Sequence, residues 1–280
     1  MRFVNANGRA ALLVDDLVYD LAVHSGGAVS ADPTVALRTQ WDLMRSIERE
    51  GAFSGGIPQV DVVLGPPVPE PRAVYAVGLN YQGHAAETGR SPGELPGIFT
   101  KFPTSITGPY DDVVIPRDRA IVDWEAELCV VFGDGGRRVA EEDAVTHVLG
   151  LMCAQDISER HVQRAAMNQF SMGKSYDTFC PIGPAVVTLD ELVDPYDLRI
   201  TCRVNGVTRQ DDRTSGLIVD VPALTTWISS VCPLRAGDLC LTGTPAGVGA
   251  ARGVFLAPGD VVETEIEGLG SMRNRCVAEA

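Results

Sequence analysis

Short apolar runs interrupted by turn residues set the rhythm of this chain. The runs at 3–5, 10–14 and 17–21 are separated by Asn-Gly and Asp-Asp, which predicts a small antiparallel meander. A helical period follows over 33–50. Asp32 can cap it, Pro33 suits its first position, Leu37, Trp41, Leu43, Met44 and Ile47 share one broad face, and Gly51 can end it. Residues 54–72 gather Pro and Gly around one short apolar run, as a connection between units would. The pattern therefore predicts a small N-terminal domain over 1–70 and a larger domain over 71–280. In the larger part, strand-like runs recur at 113–115, 124–132, 148–154, 185–189, 198–204, 239–242 and 261–266 with few long helical patterns. The fold class expected is α+β, rich in strand.

Composition narrows the picture. With 45% hydrophobic and 21% charged residues, the 280-residue chain carries enough apolar surface to offset the entropy of ordering. A net charge of −14 without any basic run argues against nucleic acid, which needs a cationic surface. Anionic ligands would need local cations or a metal ion. The seven cysteines form no CxxC pair and have mostly apolar neighbours, so they are expected to be reduced core residues. No stretch is long enough to span a bilayer and no leader pattern stands at the start, so no membrane partner and a cytoplasmic location are expected.

Several segments carry candidate chemistry. In the run 123–132 the side-chain period is two, which puts Asp123, Glu125 and Glu127 on one strand face, with Glu125 and Glu127 about 7 Å apart and able to converge on one ion. A solvated strand face is the plain alternative. Asp156 ends the next apolar run and can be a third ligand, although with Glu159 it also fits a helix-capping pattern. Oxygen-only ligands select magnesium, manganese or calcium over zinc. His84 and Glu87 stand three apart, so a helical turn would place them together as a general base and its orienting carboxylate. Gly83, Gly89, Pro92 and Gly93 bracket the pair and suit a mobile lid. Lys174 follows Gly173 in a Gly-Lys-Ser that lacks the rest of a phosphate loop, since Asn168 stands where its first Gly belongs. It can instead hold a substrate carboxylate or enolate oxygen as a compact cation. A Gly-rich loop over 243–249 can cradle a carboxylate with its amides and Thr244. Nucleophilic serine, zinc-protease and thiol motifs are missing, and His24, His147 and His161 are assigned structural positions.

Taken in order, Val77-Gly78-Leu79-Asn80-Tyr81 with His84 and Glu87, residues 123–128, Asp156, residues 173–184 and residues 243–249 resemble the fumarylacetoacetate hydrolase family. The resemblance runs from about Ala73 to the C-terminus. It implies rolled, mixed β-sheets around a metal site, a small N-terminal α/β domain and a homodimer. It also implies Glu125, Glu127 and Asp156 as ligands of magnesium or manganese, with calcium as a further option. His84 and Glu87 become the catalytic dyad and Lys174 a substrate contact. Arg160 and Gln163 line the pocket, and Lys101 and Thr244 match further pocket positions. Between Tyr81 and His84, Gln82-Gly83 replaces the charged residue that relatives often carry. The chain is also shorter than the branch that acts on fumarylacetoacetate itself.

The chemistry expected follows from a 2-oxo acid chelating the ion, which makes an enolate accessible. Hydrolysis of an acylpyruvate, with His84 and Glu87 activating water, ranks first. Decarboxylation of oxaloacetate ranks second, and isomerisation of hydroxymuconate-type diacids from aromatic degradation third. A non-catalytic metal or oxo-acid binder, and less so a nucleotide binder, are the rivals from other classes.

Overall fold

The computed structural model describes residues 1–89, 91, 93, 95–118, 121–133, 135–165 and 169–280. Pro92 of the lid segment, Ala166 of the helix expected after Asp156, and Asn168 lie outside them.

The meander forms as the turns predict. Arg2–Ala6, Arg9–Val14 and Leu17–Asp20 pair antiparallel, with Asn7 and Gly8 at φ 53° and 78° in the first turn. The helix expected over 33–50 is instead two helices, Pro33–Thr39 and Trp41–Glu50, parted at Gln40 (φ −132°, ψ 19°). The Gln40 side chain is committed elsewhere: it accepts from the Ser30 amide and donates to the Ala28 carbonyl. Periodicity is blind to that tie. Asp32 caps the first helix, accepting from Thr34 and Val35 amides, and Gly51 ends the second at φ 64°. Leu37 and Met44 are buried, whereas Leu43 is exposed because the break turns it away from the core.

One large mixed sheet runs in the order Ile57–Pro58, Leu17–Asp20, Arg9–Val14, Arg2–Ala6, Cys180–Val187, Val148–Gln155, Ala126–Phe132, Leu239–Leu241, Val74–Gly78 and Gly97–Lys101. The first strand thus joins the meander to the later chain, pairing Phe3 with Val186. A second sheet holds Val207–Arg213, Arg199–Val204, Val261–Ile266, Gly270–Ala278 and Val113–Ile115. The strand Ala126–Phe132 is buried throughout, so both of its faces meet core. Leu128, Val130 and Phe132 pack into one cluster with Trp124, Ile200 and Val262. Cys129 and Val131 pack into another with Phe3, Leu12, Leu37 and Met44. No helix among the described residues is long and apolar enough to cross a membrane.

The expected single strand over 124–132 is interrupted. Val122–Asp123 pairs with Ser158–Glu159 as a separate two-stranded unit, and the ladder resumes only at Ala126. Side chains replace the missing backbone partners. Asp123 takes the Trp124 amide, Gln155 the Glu125 amide and Gln210 the Ala126 amide. Polar side chains thus cluster where the strand enters the core. The strands Val74–Gly78, Gly97–Lys101, Val207–Arg213 and Gly270–Ala278 lie outside the runs expected from the sequence; in Val207–Arg213 (VTRQDDR) polar residues stand on both faces and hide the alternation. The helix Val221–Val231, capped by Asp220 and rich in β-branched residues, was also missed.

Candidate active site

The strand interruption brings three carboxylates together. Oxygens of Glu125, Glu127 and Asp156 lie within 4.8 Å of one another, and all three residues are buried. Register explains the convergence: Glu127 pairs with Ala154, and the Asp156 amide bonds the Glu125 carbonyl, so Asp156 sits beside both glutamates. The capping alternative for Asp156 fails. Its carboxylate bonds Lys101 and Lys174 Nζ at 2.8 and 2.5 Å, while Glu159 caps the helix Arg160–Ala165 by accepting from the Val162 amide.

Buried cations are shared unequally among these acids. Lys174 Nζ also donates to Glu125 at 2.7 Å, and Arg160 Nη2 reaches Glu125 Oε1 at 2.7 Å. Burial alone would push the Glu125 carboxyl up, yet Lys174 and Arg160 outweigh it and hold it well below the usual carboxylate range. Among the described residues Glu127 takes its one hydrogen bond from the Gly243 amide, at 2.6 Å. Burial first, then the charges of Asp156 and Glu125, push its proton affinity well up. The cluster is therefore short of positive charge at Glu127. An all-carboxylate, oxygen-only donor set with that deficit fits a hard divalent cation.

His84 and Glu87 come together as their spacing predicts. On the helix Gln82–Thr88, His84 Nδ1 lies 2.7 Å from Glu87 Oε1, and the Gly247 amide donates to Glu87 Oε2 at 2.9 Å. His84, Glu87, Glu125, Arg160, Gln163 and Lys174 all line one cavity of about 260 Å³. Thr244 lines it as well, but its hydroxyl is already committed, donating to the Ala126 carbonyl and accepting from Gln210. Lys101 is buried behind Asp156, also donating to the Lys174 carbonyl, and does not line the cavity.

The Gly-rich loop behaves differently from the carboxylate cradle its sequence suggests. Its amides serve the protein's own acids: Gly243 holds Glu127, Gly247 holds Glu87 and Gly249 holds Asp123. Glycine is required at Gly243, where φ is +102° and a Cβ would stand 2.8 Å from that of Asn80. Asp123 was read as part of the acidic face. It instead anchors Arg160 through Nε and Nη2 at 2.9 and 2.7 Å, and Arg160 Nη1 then holds Gln163 at 3.0 Å. Sequence reasoning did not single out Phe99 and Phe170, which meet edge to face at 5.4 Å on the cavity wall with Lys174 Nζ 5.2 Å from the Phe99 centroid. Nothing in the spacing of these aromatics marked them.

A strand-rich fold that buries an acidic triad beside a histidine–carboxylate pair defines a class of enzyme. The family model of the fumarylacetoacetate (FAA) hydrolase C-terminal region matches residues 73–277, and the chain belongs to that family. It is 43% identical over 224 residues to the mitochondrial oxaloacetate tautomerase FAHD2A of Bos taurus, covering 79% of this chain and 71% of that protein. A crystal structure from Mycobacterium smegmatis, provisionally assigned as HpcE, superposes with a TM-score of 0.94 at 45% identity, covering 100% of both chains. Maleylpyruvate hydrolase from Sphingobium sp. SYK-6, solved with manganese (II) and pyruvate, gives 0.84 at 31% identity, again over 100% of each.

Proposed function

We propose that this chain is a divalent-metal-dependent enzyme that moves a proton at C3 of a small 2-oxo acid, interconverting the keto and enol forms of an oxaloacetate-like substrate. The observation that carries this reading is the His84–Glu87 pair at 2.7 Å, set on the same cavity wall as Glu125 and Lys174. Glu125, Glu127 and Asp156 would hold magnesium or manganese, and an ion bound there supplies the positive charge that polarises the 2-oxo group.

The chain's own residues supply the rest. Glu87 accepts the Nδ1 proton of His84, which leaves the Nε2 lone pair to take a proton from C3 and stabilises the imidazolium that results. The electron pair moves to the C2 oxygen. Lys174 spends two of its three N–H donors on Glu125 and Asp156, so a third remains for that oxygen. Phe99 and Phe170 exclude water from one side. The imidazolium then returns its proton to oxygen or carbon. At about 260 Å³ the cavity falls below the ~300–1,000 Å³ of sites for drug-sized ligands, which favours a compact acid. The 43% identity to an oxaloacetate tautomerase supports the same choice.

Hydrolytic C–C cleavage of an acylpyruvate is the second reading, favoured by the likeness to maleylpyruvate hydrolase. There the same Nε2 would deprotonate water. Manganese-loaded protein incubated with oxaloacetate in D₂O separates the two. The expected result is C3 deuteration and enol–keto relaxation faster than in buffer, and His84→Ala should slow both by about 10²–10⁴-fold while manganese affinity is kept. Pyruvate release from acylpyruvates with no effect on oxaloacetate would favour hydrolysis. Full rates in His84→Ala would reject the base assignment.

A further inference from the structure

A diacid has a second carboxylate, and the cavity has few charges left to meet it. Its titratable lining among the described residues is His84, Glu87, Glu125, Arg160, Arg164 and Lys174. His84 and Glu87 hold each other. Arg160 spends Nε and Nη2 on Asp123 and Glu125 and Nη1 on Gln163, while Lys174 is shared between Glu125 and Asp156. Arg164 alone of the lining cations makes no hydrogen bond or ion pair to any described residue.

Position fits this lack of partners. On the helix Arg160–Ala165, Arg164 follows Arg160 by four residues, so it lies on the same side about 6 Å further along the axis. It is exposed where Arg160 is buried, which puts it at the mouth of the cavity with Arg160 at the wall. It also lines the adjoining cleft with Ile121, His161 and Ala165. The lining residues Val248, Ala250 and Ala251 are short and apolar. They offer a carboxylate no partner.

We infer that Arg164 is a specificity-determining residue whose guanidinium takes the distal carboxylate of a 2-oxo diacid. The inference rests on the proposed 2-oxo acid chemistry of this site and adds to it the residue that meets the second carboxylate. A guanidinium presents two parallel N–H donors to a carboxylate, and an exposed, unpaired one gives up little to engage them.

Calorimetric titration of manganese-loaded protein with oxaloacetate and with pyruvate tests this, because binding is read whether or not turnover occurs. Wild type should prefer oxaloacetate, and Arg164→Ala should cut that preference about 10- to 100-fold, the worth of one hydrogen-bonded charge pair. Arg164→Lys should restore part of it. Oxaloacetate affinity that stays unchanged in Arg164→Ala, or an equal weakening of both ligands, overturns the inference. Dianion binding through Arg164 without C3 exchange would uphold the inference while sinking the proposed reaction.

Discussion

At the scale of single residues, the site is governed by how positive charge is shared. Three buried carboxylates face two lysines and one arginine, and Glu127 receives none of these directly. Replacing Glu127 by Gln keeps an oxygen for the Gly243 amide and removes the cost of burying an acid beside Asp156 and Glu125, a cost that wild type meets as repulsion or as uptake of a proton. The metal-free Glu127→Gln protein should therefore melt higher than metal-free wild type, by roughly 2–10 °C. Manganese, which stabilises the native state by mass action, should raise the melting temperature of wild type and leave that of Glu127→Gln nearly unmoved. Scanning calorimetry with and without chelator reads both effects. A lower metal-free melting temperature in the variant would mean that the cluster is not repulsive.

At the scale of elements, Asp123 is the joint. It receives the amides of Gly249 and Ala250 on one side and the Arg160 guanidinium on the other, and so binds the strand entry, the loop after Leu239–Leu241 and the helix Arg160–Ala165 into one unit. Both Asp123 and Arg160 are buried. Asp123→Ala leaves a buried guanidinium with Glu125 as its single carboxylate partner among the described residues and strips three amides, those of Trp124, Gly249 and Ala250, of their acceptor. Removal of one member of such a pair costs about 3–5 kcal/mol, which denaturant unfolding would register. Loss of less than about 1 kcal/mol would show that water replaces the carboxylate readily. Arg164 stands on the same helix, so its aim into the cavity depends on this joint.

At the scale of the whole molecule, the cysteines report on cooperativity. All seven are free thiols and six are buried. Burial pushes Cys153, Cys180, Cys202 and Cys276 up to about 12, so their thiolates are scarce at neutral pH. Cys232 is the partly exposed one. A thiol reagent at pH 8 should label one cysteine quickly and the other six only at the rate of unfolding. Rapid labelling of several would show that the sheet Arg2–Ala6 to Gly97–Lys101 opens locally.

Much of this was readable along the chain. The meander, most strands, the acidic alternation at Glu125 and Glu127, and the His84–Glu87 spacing are short-range patterns, since a period of two or three to four residues states which side chains share a face. Partner choice is another matter. Gly243 lies 116 residues from Glu127, Lys101 55 from Asp156 and Gly247 160 from Glu87, and nothing local announces those bonds. The two-helix break at Gln40 and the strand pause before Ala126 likewise follow from side chains bonding distant backbone. Sequence by itself determined which groups are present and which neighbours they share. Only the tertiary structure decided which acids are neutralised, which loop amides are spent and which cavity-lining arginine is left without a partner among the described residues, because charge compensation in a buried site depends on distances that close only when the chain has folded.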